Sequence, residues 1–381
     1  MRYRLRGAVV LTETGREKVD VLVDEGRIAA LGKVNAVNAE DIDLSSLTIL
    51  PGFIDMHLHG AGGADTMEAT YKALNTVAFT HAKHGTTAMV PATVAATNDE
   101  LLAVGKAIKT AVEKGTDGAK VLGLHVEGPY MNVECLGAHR KECVRKASVA
   151  ETEALWETSG GNIKVMTLAP EIDGALELIG YLRSIGVVPS LGHTMATVEQ
   201  FERGVAAGAL HTTHLFNAMR PFHHREPGII GATLTDRRVS SEVIADGIHV
   251  NPVALKLFYQ SKGPDKAILV TDSMQAVDLP EGQYELGGLE VFVKDGSARL
   301  ANGTLAGSTL TMERAVKNMI KLAGASLEDA SQMASLNPAK LLGLAYRKGS
   351  IALGKDADLV AVDEDFKVKL TMVEGRVVYK A

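Results

Sequence analysis

The chain has 381 residues, 46% hydrophobic and 23% charged, with a formal net charge of −6. These are the proportions of an ordinary globular protein large enough for a sizeable core, and the mildly acidic balance gives no reason to expect a nucleic acid or an anionic membrane as partner. No apolar run approaches the ~18 residues that cross a bilayer.

The N-terminal segment 1–7 is basic, but only a short apolar stretch follows before Thr12, Glu13 and Arg16, so it reads as a strand rather than a signal peptide. The only two cysteines, Cys135 and Cys143, fall in one polar segment and are expected to stay reduced, which places the chain in the cytoplasm. Residues 7–11, 19–23 and 27–31 read as short strands joined by turns, and 357–362 and 373–379 repeat that style. Glu25-Gly26-Arg27-Ile28 and Glu374-Gly375-Arg376-Val377 echo one another. One small β-domain built from both termini, residues 1–50 plus 350–381, is therefore expected, with 51–349 as a separate unit.

Within that unit, short apolar runs alternate with longer amphipathic segments, as in βα units around a parallel sheet. Eight strand candidates cover 49–59, 86–92, 120–126, 163–168, 187–193, 209–215, 241–245 and 267–271, and eight is the number that closes a barrel. Helices are expected over 66–84, 171–185 and 308–323, and a β-hairpin insertion over 279–305.

In such a barrel the chemistry sits at the C-terminal ends of the strands. His57 and His59 end the first run at alternate positions, which in a strand share a face. Alone this H-x-H is weak, because a buried histidine bonded to backbone is commoner than a ligand. Glu127 ends the third run, His193 the fifth, His214 the sixth and Asp272 the eighth. Six accidents at five strand ends are improbable. Four histidines with one glutamate form a nitrogen and oxygen set that suits zinc, iron or manganese rather than calcium or magnesium. Asp272 is the candidate general base, since a carboxylate beside a metal site can take a proton from attacking water. His81 and His84 read as structural, His223 and His224 as solvent-exposed, and His211, out of phase with His214, as facing the packing helices. His125 lies one layer below Glu127, its role open.

The motifs P-G-F-I-D-x-H-x-H-G, H-V-E-G-P, L-G-H-T, T-H-L-F-N-A-M, R-E-P-G, A-D-G-I-H and T-D-S-M, spread over essentially the whole chain, resemble the amidohydrolase superfamily and, within it, the deacetylases of phosphorylated N-acetyl amino sugars. The resemblance implies an α/β fold, a (β/α)8 TIM-type barrel with a β-sandwich formed by both termini. It implies a constant metal site at Glu127, His193 and His214, and a second ion at His57 and His59 with Glu127 bridging, hence one or two divalent ions per subunit. Asp272 takes the place of the catalytic aspartate, and His139 that of the histidine meeting the acetamido group. Asn217, Ala218 and Met219 resemble a phosphate- and sugar-binding turn, His249 a contact to the sugar phosphate, and Arg225 an arginine that reaches the phosphate from the neighbouring subunit of a homodimer. The implied reaction is hydrolysis of the acetamide of N-acetyl-D-glucosamine 6-phosphate. A deacetylase of the galactosamine isomer, another amidohydrolase, and a non-catalytic assembly protein of the same fold are the alternatives.

Overall fold

The computed structural model describes all of residues 1–381. Strands form within each of the eight apolar runs, mostly shorter than the pattern suggests: Phe53–Leu58 (β1), Thr86–Pro91 (β2), Leu124–Glu127 (β3), Ile163–Leu168 (β4), Val188–Leu191 (β5), His211–Thr212 (β6), Ser240–Ile244 (β7) and Ala267–Val270 (β8). β1 pairs in parallel with β2, and β3 to β8 form one parallel ladder in chain order. A parallel bridge between Ala92 and His125 continues β2 into β3. At the other edge the Asp272 N–H donates to the His57 carbonyl at 2.8 Å, linking the ends of β8 and β1. Every residue of β1, β2 and β8 is buried, as expected of strands covered on both faces, which is why their sequences run apolar instead of alternating.

Three of the departures from the sequence reading bear on the layout around the parallel strands. The run 49–59 is divided at Gly52, where a Cβ would fall 2.3 Å from Thr87 side-chain atoms, and Thr48–Pro51 joins a different sheet. The helix expected over 66–84 is a single 3-10 turn, Thr66–Glu68, and then a helix, Tyr71–Lys83; Ala69 is left-handed (φ 54°) and Thr70 caps the new start. The insertion is a three-stranded antiparallel meander, Gly282–Leu286, Leu289–Lys294 and Ser297–Arg299, rather than a hairpin. Its Leu286, Val291 and Val293 pack with Val94, Ala138 and Met274, so it lies against loops that follow β2, β3 and β8.

The two ends of the chain meet in a six-stranded sheet, in which Leu359–Val362 pairs with both Thr48–Pro51 and Val368–Val373. A four-stranded sheet from residues 2–43 shares a cluster of buried side chains with it, including Leu5, Val10, Ile28, Ile49, Leu359 and Leu370. The echoed E-G-R segments are the two tight turns of this region, with φ of 48° and 81° at Glu25 and Gly26 and of 45° and 77° at Glu374 and Gly375. Two consecutive positive φ values match the right-handed twist of the flanking strands. The turns also touch: a Cβ on Gly375 would lie 2.5 Å from the Gly26 Cα. Close backbone approach therefore accounts for glycine in both halves of the echo. No helix is long and apolar enough to cross a membrane.

Candidate active site

The mouth of the parallel strands encloses a cavity of about 220 Å³, floored by His59, Glu127, His193, His214 and Asp272 and bounded above by Leu286, Leu305 and Gly307. Glu127, at the end of β3, is the hub. Its Oε1 lies 3.1 Å from His193 Nε2 and 3.0 Å from His214 Nε2, and those two nitrogens are 3.2 Å apart. Oε1 is also 3.3 Å from His57 Nε2, while Oε2 lies 3.3 Å from His59 Nε2 and 3.4 Å from His139 Nε2. Asp272 Oδ1 completes the floor at 3.1 Å from His59 Nε2.

These positions depend on uncommon backbone. His193, His214 and Asp272 have φ of 49°, 22° and 49°. Left-handed conformations at non-glycine residues are costly and persist where the surroundings over-determine them. Here each turns the chain at the end of a strand so that a side chain faces the centre.

The arrangement fits a divalent metal ion. Metal–ligand bonds of 2.0–2.1 Å in a tetrahedron give ligand–ligand edges of about 3.3 Å, and the separations around Glu127 Oε1 are of that size. The histidines are also oriented as ligands. His193 Nδ1 donates to the Cys135 carbonyl at 2.8 Å and His57 Nδ1 to Glu242 Oε2 at 3.0 Å, so both turn Nε2 inward. His57 Nε2 is fully buried with no hydrogen-bond partner, as an atom awaiting a cation would be.

Electrostatics point the same way. Burial opposes charge on Glu127, but the imidazoles around it, His57 first, hold its carboxyl well below the usual range. Burial likewise opposes charge on Asp272, yet His59 and His57 bring it down to about 2. Burial should discharge His59, and Asp272 with Glu127 instead hold it up to about 10. Before a cation binds, protons therefore supply the positive charge that the carboxylates favour, and a metal must displace them. Metal binding near neutral pH is expected to release at least one proton per chain and to tighten as pH rises toward the His59 value. Calorimetry in buffers of different ionisation enthalpy measures this; a binding heat independent of buffer would count against it.

His139 lies outside any strand. Its Nδ1 accepts the Ala95 N–H at 2.9 Å, which leaves the proton on Nε2, the atom facing the cavity, and burial lowers its pKa to about 4. Ala218 and His249 line the cavity, as does Asn217, whose amide nitrogen is turned back toward the carbonyls of His214 and Leu215 at 3.3 and 3.4 Å instead of outward. The Met219 side chain does not line it; long and apolar, it packs into the main core. The main-chain N–H groups of Ala218 and Met219 have no acceptor within the chain and follow left-handed turns at Phe216 and Ala218, a geometry suited to an anion. His249 Nδ1 bonds to Asp246 Oδ2 at 2.7 Å. Arg225 is exposed, lies outside this chain's cavity, and contacts His224.

One side chain was not foreseen. Glu242, buried mid-strand in β7, bonds to His57 and also accepts from His211 Nε2 at 3.2 Å. His211 therefore does not face the packing helices; it turns inward because a buried carboxylate needs donors. The signal for Glu242 was available, as an acid inside an otherwise apolar or small-residue strand. His125 has both nitrogens engaged, with the Met56 carbonyl at 3.0 Å and Thr167 Oγ1 at 2.7 Å, and is a structural residue. His81 and His84 are hydrogen-bonded away from the cavity, to Ser273 and to Glu313 and Asp278. Cys135 and Cys143 are buried free thiols.

A profile of the amidohydrolase family matches residues 48–378. The chain belongs to the amidohydrolase family. Among its relatives, the N-acetylglucosamine-6-phosphate deacetylase of Bacillus subtilis (strain 168) is 42% identical over 334 residues, covering 87% of this amidohydrolase and 84% of the relative. The N-acetylgalactosamine-6-phosphate deacetylase of Escherichia coli O157:H7 is 39% identical over 378 residues, 99% of each chain. Among solved structures, the N-acetyl-D-glucosamine-6-phosphate deacetylase of Mycobacterium smegmatis, an aspartate-to-alanine variant in complex with N-acetyl-D-glucosamine-6-phosphate, superposes with a TM-score of 0.93 at 36% identity over the whole of both chains. The amidohydrolase thus has the parallel-strand core of its family, with side-chain groups able to hold divalent metal.

Proposed function

We propose that this amidohydrolase hydrolyses the acetamide of N-acetyl-D-glucosamine 6-phosphate to glucosamine 6-phosphate and acetate, in amino-sugar catabolism or recycling. The observation that carries the reading is the convergence of Asp272, through His59 Nε2, and of His139 Nε2 on Glu127 at one cavity that all four residues line. The parallel strands act as a closed (β/α)8 barrel over 51–349, and residues 1–50 with 350–381 as a β-sandwich domain. The free thiols and the phosphorylated substrate suit a cytoplasmic enzyme.

Glu127, His193 and His214 would hold one divalent ion, and His57 and His59, together with Glu127, would hold a second; zinc, iron and manganese all suit this donor set. Bound there, the metal supplies the Lewis acidity that polarises an amide carbonyl and acidifies water. Asp272 Oδ1 takes the proton from water as its oxygen attacks the carbonyl carbon, then delivers it to the amine nitrogen as the C–N bond breaks. The proton on His139 Nε2, fixed by the Ala95 N–H at the opposite nitrogen, is donated as a hydrogen bond to the carbonyl oxygen while that atom gains negative charge.

The phosphate is received by the Ala218 and Met219 N–H groups, by His249, and by Arg225 of a second copy in a homodimer. Arg225 is exposed on its own chain, as is Phe222 three residues before it. A guanidinium fork matches phosphate oxygens, and a charge-assisted contact is worth ~1.5–3 kcal/mol. Arg225→Ala is therefore expected to raise KM for the phosphorylated sugar by about 10–100-fold with kcat little changed. An unchanged KM in steady-state assays removes the contact in trans.

The galactosamine isomer is the second reading, favoured by the relative from Escherichia coli O157:H7. Acetate release from a panel of N-acetyl hexosamines, with and without the 6-phosphate, decides between them. Absence of release from every phosphorylated member sinks both.

A further inference from the structure

Glu242 is 0% exposed at the middle of β7, and its carboxylate has three donors on it. His57 Nδ1–H and the His214 main-chain N–H reach Oε2 at 3.0 and 3.1 Å, and His211 Nε2–H reaches Oε1 at 3.2 Å. The far side of His211 is fixed in turn, with Nδ1 at 2.9 Å from Ser240 Oγ. Glu242 itself does not line the cavity. It therefore meets the candidate metal site only through His57 and the His214 backbone.

We infer that Glu242 is a positioning residue that commits His57 to metal binding and so sets the occupancy of the second ion position. The inference rests on the two-ion reading of the site given above. Without Glu242, the Nδ1–H of a fully buried ring would lose its acceptor. The tautomer bearing its proton on Nε2 would then gain Glu127 Oε1, 3.3 Å away, as a partner. That proton would occupy the direction from which the ion is held. With Glu242 present, Nδ1 keeps its proton whether the ring is charged or neutral, and Nε2 is the nitrogen that exchanges a proton for a cation. A carboxylate behind the imidazole also raises its basicity as a ligand. The position held by Glu127, His193 and His214 depends less on Glu242, since His193 Nδ1 donates to the Cys135 carbonyl and Glu242 meets this group only through the His214 main-chain N–H, not through a ring. Loss of Glu242 should consequently weaken one ion and spare the other.

The two oxygens make different demands, which supplies an internal control. Oε2 must accept two protons, whereas the single donor at Oε1, His211, can reverse its tautomer by donating from Nδ1 to Ser240 Oγ. A glutamine at this place can turn its amide oxygen toward His57 and its NH2 toward His211. Glu242→Gln thus keeps the His57 tautomer and loses only the charge; Glu242→Leu loses both.

The experiment titrates zinc against a competing chelator in the full-length parent, Glu242→Gln, Glu242→Leu and His57→Asn, with metal content by mass spectrometry and folding by circular dichroism. The parent should bind two ions per chain, Glu242→Gln two with the weaker one loosened by about 10–100-fold, and Glu242→Leu and His57→Asn one. Nitrogen chemical shifts of the His57 ring should report Nδ1 protonated in the parent and in Glu242→Gln. A second ion bound by Glu242→Gln with parental affinity, or equal loss of both ions, overturns the inference, as does a parent that binds a single ion. Should Glu242→Leu fail to fold, the comparison between the parent and Glu242→Gln still decides. No substrate is present in these measurements, so a chain that meets every metal expectation yet releases no acetate refutes the proposed reaction alone.

Discussion

Asp272→Asn is expected to lower kcat by about 10²–10⁴-fold, the range that a positioned general acid–base contributes, while the ion at Glu127, His193 and His214 stays bound. Asparagine is the informative replacement for three reasons. It has the shape of aspartate and fills the same space against His59. It tolerates the left-handed backbone that this position adopts, at φ 49°, where alanine would add strain of its own. An amide also lacks the basicity to accept a proton from water. Because the proton moves only in the transition state, kcat and kcat/KM should fall together, with KM little altered. The Glu127, His193 and His214 group does not include Asp272, so its ion should remain. Near-normal turnover with metal retained would remove Asp272 from the role of base, and a simultaneous loss of metal would make it chiefly a ligand. Single-turnover assays beside metal analysis separate these outcomes.

Where the strand ends carry function, the sequence was readable because two independent rules coincide on the same residues. A buried parallel strand appears as an apolar run, and a polar side chain at its C-terminal end faces the mouth. Glu127, His193, His214 and Asp272 each lie at a strand end or within two residues beyond it, and that position marks them although other polar residues, His125, Ser190, His211 and Thr271, precede them. His139 obeys neither; it lies in an irregular stretch between short 3-10 turns, where no periodicity assigns a direction to a side chain, and only the motif resemblance pointed to it. His211 was misread because strand alternation was counted through a strand only two residues long, beyond which the chain turns sharply at His214. The tautomers were out of reach for another reason. They depend on partners distant in sequence, the Cys135 carbonyl for His193 and Glu242 for His57, separated by 58 and 185 residues. Met219 illustrates the limit of motif reading: a turn can offer its main chain to a ligand while its side chain obeys the hydrophobic effect and enters the core.

Glu127→Gln is expected to abolish stable metal binding at both positions and to reduce turnover by at least about 10³-fold, because several kcal/mol of charge stabilisation depart with the metal. The amide preserves volume, so packing around β3 should hold and any change reports charge and lone pairs. Under the two-ion proposal, two divalent ions would bring four positive charges into a buried site that holds the carboxylates of Glu127 and Asp272 on its floor and Glu242 behind His57. Of the two carboxylates on the cavity floor, Glu127 is the one whose two oxygens face different histidine groups, Oε1 toward His193, His214 and His57, Oε2 toward His59 and His139. A glutamine can present its single oxygen to one side only, and its NH2 would then point hydrogen atoms at the nitrogens of the other. Both positions are weakened at once, in contrast to the selective loss expected on changing Glu242. Thermal unfolding provides a second reading. Ligands that bind the folded state alone raise its apparent stability, by about 4 kcal/mol at a thousandfold excess over Kd. The parent should therefore lose several degrees of Tm on chelation and regain them with added metal, whereas Glu127→Gln should start low and respond to neither treatment. Retention of two ions, or turnover within tenfold of the parent, would show that Glu127 is not the shared ligand and that the histidines suffice.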